Sequence, residues 1–324
     1  MFQALQLTDK DTIALTQLNE TDLPEGDVTV AVSYSTINYK DALAVTGSAP
    51  IAKSYPMVPG IDFSGVVTQS DDPTYAVGDK VVLNGWGVGE KHWGGFAQQA
   101  RVKGKWLIKL PQGLSEADAM RIGTAGYTAM LCCNALRSHD ITPDSGPIIV
   151  SGATGGVGSI AVYILAKRGY DVHALSGKPE QTDYLMKLGA KAVIDRKDYA
   201  EKARALGQQL WAGAVDVAGS HTLANIIANT QYGGVVTACG LAQGMDLPSS
   251  VAPFILRGVS LVGVDSVYCP VAKRQAAWND LAAEMDIEKL SDIAHTIGLD
   301  GVEAASKALM AGTVTGRYLV DVQK

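Results

Sequence analysis

Ile148-Ile149-Val150-Ser151-Gly152-Ala153-Thr154-Gly155-Gly156-Val157-Gly158 begins as an apolar run, passes through a glycine-rich turn and continues directly into a helical pattern. A short run of this kind is what a parallel strand buried on both faces looks like. Glycines let the turn reverse tightly and bring backbone amides near a pyrophosphate, while the helix start that follows favours negative charge. The strict G-x-G-x-x-G spacing is absent, since Gly152, Gly155 and Gly158 lie three residues apart. The strand-turn-helix placement, more than the pattern, points to dinucleotide binding at Gly155, Gly156, Val157 and Gly158. The competing reading is a strand-to-helix turn with a structural role only.

The second strand, Tyr170 to Ser176, ends 18 residues after Gly158, where NAD enzymes commonly carry an acid for the ribose 2′-hydroxyl. Here stand Ser176, Gly177 and Lys178. A hydroxyl and a cation suit a 2′-phosphate, and Arg196, just after the next strand, can bring a second cation to the same pocket. NADPH is therefore expected over NADH. As ordinary solvated charges Lys178 and Arg196 carry no such message, and Glu180 nearby runs against it.

Outward from this unit the pattern alternates strand and helix, with helices expected near 200–210, 223–230 and 272–284 and strands near 214–217, 234–239 and 259–264. Six strands would complete a doubly wound parallel sheet. Before residue 111 the chain is different, with short β-rich runs at 27–35, 62–68, 80–83, 96–102 and 106–110 separated by turn formers. That is an all-β, barrel-like plan. Ser115 caps a broken helix running to about residue 136, and the final run 316–322 reads as a strand rejoining the first domain.

The 324 residues suit two domains. With 47% hydrophobic and 19% charged residues, disorder and fibrous repeats are poor explanations. The net charge of −6 gives no basic excess for nucleic acid or an anionic membrane. No run suits a spanning helix and the first residues do not read as a secretory signal, so a cytoplasmic location is the expectation. Cys132, Cys133, Cys239 and Cys269 are too few and too irregular for a disulfide framework, and read as buried thiols. The histidines are scattered, no zinc ligand pattern appears, and no G-x-S-x-G elbow is present. Metal-free hydride transfer carried by a cofactor is the economical reading.

The plan of β-rich N-terminal domain, nucleotide domain and returning strand resembles the medium-chain dehydrogenase/reductases over nearly the whole chain. Where zinc members carry a cysteine ligand there is Asn38-Tyr39-Lys40-Asp41, and where they carry Gly-His-Glu there is Gly60-Ile61-Asp62. The segments 85–90, 92–95, 101–104, 123–126, 238–242 and 254–257 resemble the acrylyl-CoA reductase (NADPH) branch of the quinone-oxidoreductase-like members. The resemblance implies an α/β fold, with a doubly wound Rossmann NADPH-binding domain over 121–265 and a β-rich GroES-like catalytic domain over 1–120 and 266–324. It also implies cofactor contacts from Tyr39, the Gly155 to Gly158 turn, Ser176 to Lys178, Arg196, Leu241, Ile255, Ser266 and Arg317.

The implied reaction reduces the 2,3 double bond of acrylyl-CoA to propionyl-CoA, which needs a hydride at the β-carbon, a proton at the α-carbon and stabilisation of charge on the thioester oxygen. Tyr39 or water can supply the proton, and Asn38 or a backbone amide can hold the carbonyl. Trp86 and Trp93 line the acyl pocket or simply pack. Lys53, Lys91, Arg101 and Arg317 are cations available to a CoA phosphate, none singled out. Reduction of quinones or enones, and a non-catalytic NADPH sensor, are the competing readings. A homodimer through the sheet edge at 259–264 is a family expectation; neither nucleic acid nor a membrane is expected as a partner.

Overall fold

The computed structural model describes residues 1–10, 12–286, 288–289 and 294–324. The chain divides into two units, Met1–Thr124 with Val267–Lys324, and Ala125–Ser266. The first unit opens with an antiparallel hairpin, β1 (Phe2–Leu7) and β2 (Ile13–Leu18). It continues through β3 (Val28–Thr36), the short helix α1 (Tyr39–Val45), β4 (Asp62–Ser70), β5 (Lys80–Asn84), β6 (Gln99–Val102) and β7 (Leu107–Lys109). Alternation along β3 and β4 turns Val28, Val30, Val32 and Phe63 inward, where they pack with Phe96 and Leu107. The hairpin and α1 were not read from the sequence: seven residues are too few for a helical period to show.

Helix α2 (Glu116–Ser138) starts at Ser115, whose hydroxyl accepts the Asp118 amide at 3.2 Å while the Asp118 carboxylate accepts the Ser115 amide at 3.1 Å. It kinks at Gly123, where φ is +52°, a conformation open to glycine.

The second unit is built on β8 (Ile148–Val150), α3 (Gly156–Lys167), β9 (Val172–Ser176), α4 (Thr182–Leu188), β10 (Ala192–Asp195), β11 (Trp211–Asp216), α5 (Ser220–Ala228), β12 (Thr230–Ala238), α6 (Ala252–Arg257) and β13 (Ser260–Gly263). Its six strands pair in parallel in the order β10-β9-β8-β11-β12-β13, the doubly wound order with β8 as first strand. Ile149, Leu175, Ala214, Ile226 and Val236 form its core.

The helix expected at 200–210 is not formed. Its backbone groups find partners elsewhere: the Gly207 amide donates to Ala228 O at 2.8 Å, the Leu210 amide to Asn229 O at 2.8 Å, and Gly207 O accepts the Arg257 guanidinium at 2.6 Å. Long-range acceptors and a buried-side arginine override local propensity here.

The chain then returns to the first unit through α7 (Val271–Glu284), β14 (Ala294–Ile297), α8 (Val302–Met310) and β15 (Arg317–Asp321). Strand β15 pairs antiparallel with β3, Leu319 facing Thr36 and Val320 facing Ser35, as the terminal run predicted.

Candidate active site

At the carboxyl end of β8 the turn is wound so closely that glycine is required at two points. Gly152 has φ +55°, and a Cβ on Gly158 would overlap Gly152 O and lie 2.7 Å from Ala153 Cα. Gly155 caps α3 without a side chain, so the amides of Gly156, Val157 and Gly158 in the first turn have no intrahelical acceptor and face outward with the positive end of the helix. Underneath, Ser151 Oγ donates to Asp216 Oδ1 at 2.6 Å and accepts the Val217 amide at 2.9 Å, while Asp216 Oδ2 accepts the Gly219 amide at 2.8 Å. This network ties the ends of β8 and β11 together. Burial raises the Asp216 carboxyl, and its hydrogen bonds pull the other way.

The predicted 2′-phosphate residues come together at the end of β9. Ser176 is buried, its Oγ accepts the Lys178 amide at 3.0 Å, and a Cβ on Gly177 would meet the Arg196 guanidinium carbon at 3.0 Å. The Arg196 guanidinium therefore lies over Gly177, the residue between Ser176 and Lys178 in the chain. Further along the same sheet edge, Ala238, Cys239, Gly240, Leu241, Gly263, Val264 and Asp265 line a cavity of about 550 Å³ at the carboxyl ends of β12 and β13. Ligands of open α/β sheets bind at such strand ends. Leu241 is in this cavity; Ile255 stands 73% exposed on α6 and Ser266 follows β13, neither among the lining residues. Cys239 is partly exposed, unlike the buried Cys132, Cys133 and Cys269, and none of the four forms a disulfide.

In the first unit Asn38 caps α1 and Tyr39 opens it, with the tyrosine 46% exposed. The Asn38 amide nitrogen lies 3.0 Å from Thr36 Oγ1, 3.2 Å from Asp41 Oδ2 and 3.0 Å from Asp62 Oδ2. Its two protons are committed to these three acceptors, leaving none to hold a carbonyl. Asp62 is fully buried and also accepts Thr36 Oγ1 at 2.8 Å and the Thr124 amide at 2.7 Å. Asp41 accepts the amides of Asn38 at 2.9 Å and Ile61 at 2.8 Å. Burial, and then the charge of Asp62, pushes the Asp41 carboxyl up to about 7. Arg317, 5% exposed, donates to Thr36 Oγ1 at 3.2 Å; burial lowers its pKa while Asp62 and Asp41 oppose that. The kink at Gly123 makes the room, because a Cβ there would overlap Arg317 Nη2.

Of the two tryptophans, Trp93 donates from Nε1 to Pro56 O at 3.1 Å and packs on the core. Trp86 sits instead in a strained loop after β5, with φ +58°. Among the CoA-directed cations, Lys53 donates to Pro50 O at 3.0 Å and Arg101 to Thr29 Oγ1 at 3.1 Å.

Residues 24–112 match the alcohol dehydrogenase GroES-like domain, and residues 156–285 match the zinc-binding dehydrogenase family. Acrylyl-CoA reductase AcuI of Ruegeria pomeroyi is 48% identical over 329 residues, covering 99% of each chain. The crystal structure of Escherichia coli K-12 YhdH with bound NADPH is 50% identical, with a TM-score of 0.96 over 99% of this chain and 100% of that one. YhfP of Bacillus subtilis, provisionally named a quinone oxidoreductase, is 43% identical over 325 residues, covering 99% of this chain and 98% of YhfP; its structure with NAD bound has a TM-score of 0.95 over 99% of both chains. The chain belongs to the medium-chain dehydrogenase/reductases.

Within that family its full-length relatives place it in the quinone-oxidoreductase-like branch that includes acrylyl-CoA reductases. The name of the second matched family raises the question of zinc. The residues expected at the corresponding positions do not suit it: the stretch Asn38-Tyr39-Lys40-Asp41 holds no cysteine, Gly60-Ile61-Asp62 holds no histidine, and the Arg317 guanidinium already lies beside Asp62. Among the described residues no group of three or more His, Cys, Asp or Glu could hold a metal. The chemistry of the glycine turn and of Ser176, Lys178 and Arg196 does fit a phosphorylated dinucleotide, with first-turn amides that the helix itself does not satisfy, a hydroxyl and two cations. What sequence reasoning missed is Asp41, although Asn38-x-x-Asp41 has the spacing of a capping box.

Proposed function

We propose that this protein is an NADPH-dependent reductase of the 2,3 double bond of acrylyl-CoA, giving propionyl-CoA without a metal. The observation that carries the cofactor is the Arg196 guanidinium over Gly177 beside Ser176 and Lys178. The acceptor rests on the full-length likeness to acrylyl-CoA reductase AcuI. The first-turn amides of Gly156, Val157 and Gly158 would take the pyrophosphate, with Leu241, Ile255 and Ser266 nearer the nicotinamide end. NADPH supplies the hydride for the β-carbon.

The chain's own work is to protonate the α-carbon and to stabilise the thioester oxygen. Tyr39, exposed at the start of α1, is the donor we assign. Asn38 keeps that helix start fixed, since its amide protons are committed to Thr36, Asp41 and Asp62. Among the described residues edge strand β13 pairs on one side only, and we assign its other side to pairing with a second copy of the chain. Light scattering would show a mass of twice 34.0 kDa.

The test follows NADPH absorbance with acrylyl-CoA, crotonyl-CoA, a simple quinone and, separately, NADH as donor. Selective turnover of acrylyl-CoA with NADPH is the expected result. Preference for the quinone, as the name of YhfP suggests for that protein, would move the assignment to quinone reduction, and tight binding with no turnover would leave a sensor.

A further inference from the structure

Trp86 is one of three non-glycine residues among those described with positive φ, and the only bulky aromatic among them. At +58° its backbone sits where an aromatic side chain is a genuine outlier, and such outliers persist only where the surroundings over-determine them. They do so here. Glycines at 85 and 87 carry the flanking positive φ, and the Trp86 amide donates to Val267 O at 3.0 Å. The Arg274 guanidinium lies 5.0 Å from the ring centroid, itself held by Asn84 O at 2.6 Å and Val267 O at 3.1 Å, and Tyr268 meets the ring edge-on at 6.2 Å. Trp278 Nε1 donates to Asn84 Oδ1 at 3.0 Å, fixing the strand end from which the loop departs.

The ring's one polar atom is left over: Trp86 Nε1 is buried and has no partner among the described residues. A buried indole donor ordinarily finds an acceptor. The same loop is fastened to the helix that Tyr39 opens, through the Lys40–Glu90 ion pair at 3.0 Å. Asn38, on that helix, has no amide proton to spare.

We propose that Trp86 Nε1 donates the hydrogen bond that holds the acceptor's carbonyl oxygen, the thioester oxygen of acrylyl-CoA, as negative charge develops there. This rests on the reductase reading for the identity of the acceptor but not for the donor, because quinones and enones carry the same kind of oxygen. A donor of this kind is a catalytic residue, and removing one from an oxyanion site commonly slows turnover by about 100-fold or more.

The experiment replaces Trp86 with β-(3-benzothienyl)alanine, which keeps the shape of indole and puts sulfur in place of the N–H, alongside Trp86→Phe. Wild-type turnover of acrylyl-CoA and of a quinone is measured first, so a failure of the reductase reading shows there. With whichever acceptor the wild type reduces, the benzothienyl variant should lose about 100-fold in kcat while NADPH affinity and melting temperature stay at wild-type values. Unchanged kcat in that variant overturns the proposal, as does a fall in kcat matched by an equal loss of stability or of NADPH binding. If Trp86→Phe misfolds, the isosteric variant still decides.

Discussion

The proposed preference for NADPH over NADH turns on one guanidinium, taken together with Ser176 and Lys178. Arg196 lies against Gly177, whose lack of a side chain is what allows it to approach. Charge-assisted hydrogen bonds to phosphate contribute about 1.5–3 kcal/mol each. Arg196→Ala should therefore raise KM for NADPH about 10- to 100-fold and leave KM for NADH nearly unchanged. Steady-state kinetics with both donors checks this; equal effects on the two would place Arg196 outside the phosphate site. That Arg196 would approach the end of β9 was legible in the sequence, because strand ends in a parallel sheet fix where such side chains emerge. The role of Asn38 was not. Its amide looks free in the sequence, and only folding brings Asp62, 24 residues away, into its reach.

Between β8 and α3 the element sets a contrast within one turn. A Cβ on Gly155 would meet only Gly152 O at 3.3 Å, whereas on Gly158 it would run into the backbone of Gly152 and Ala153. Gly155→Ala should cost under about 1 kcal/mol, the small difference between these residues at a cap. Gly158→Ala should cost about 1–3 kcal/mol as the helix start is pushed off the strand, and should weaken NADPH binding with it. Thermal melts and fluorescence titration with NADPH would show the two glycines parting; similar losses would mean that the turn moves as a whole. Strand, turn and helix were readable here because an apolar strand, a turn with four glycines and an apolar helix agree at every level. At 200–210 the same style of reading failed, since the acceptors that unwind that segment, Ala228 and Asn229, and the donor Arg257 come from α5, its end and α6. Local composition carries no sign of them.

Across the whole molecule, the first unit is assembled from both ends of the chain, and Arg317 reaches Thr36 from 281 residues away. That return strand brings a cation to two buried acids, yet the balance still leaves Asp41 with its carboxyl raised to about 7, by burial first and by Asp62 second. An acid raised in the folded state holds a proton that the unfolded chain has released. Between about pH 4 and pH 7 the folded protein therefore binds more protons, and stability falls as pH rises through that window, by about 1.4 kcal/mol for each unit separating the two pKa values. Asp216, also raised by burial, acts in the same direction. The depressed pKa of Arg317 acts only in alkali, where the folded chain loses its proton before the unfolded chain does. Asp41→Asn removes one titration. Its Oδ1 still accepts from Ile61, but its amide turns donors toward the Asn38 amide, so the variant should be less stable than wild type at pH 5. Its loss of stability from pH 5 to pH 7 should nonetheless be shallower, with Asp216 contributing to the remaining fall and His92, whose pKa burial lowers, acting against it. Denaturant melts at several pH values measure both slopes; parallel curves for the two proteins would mean that Asp41 stays ionised throughout and that Arg317 neutralises the pair more completely than its geometry suggests.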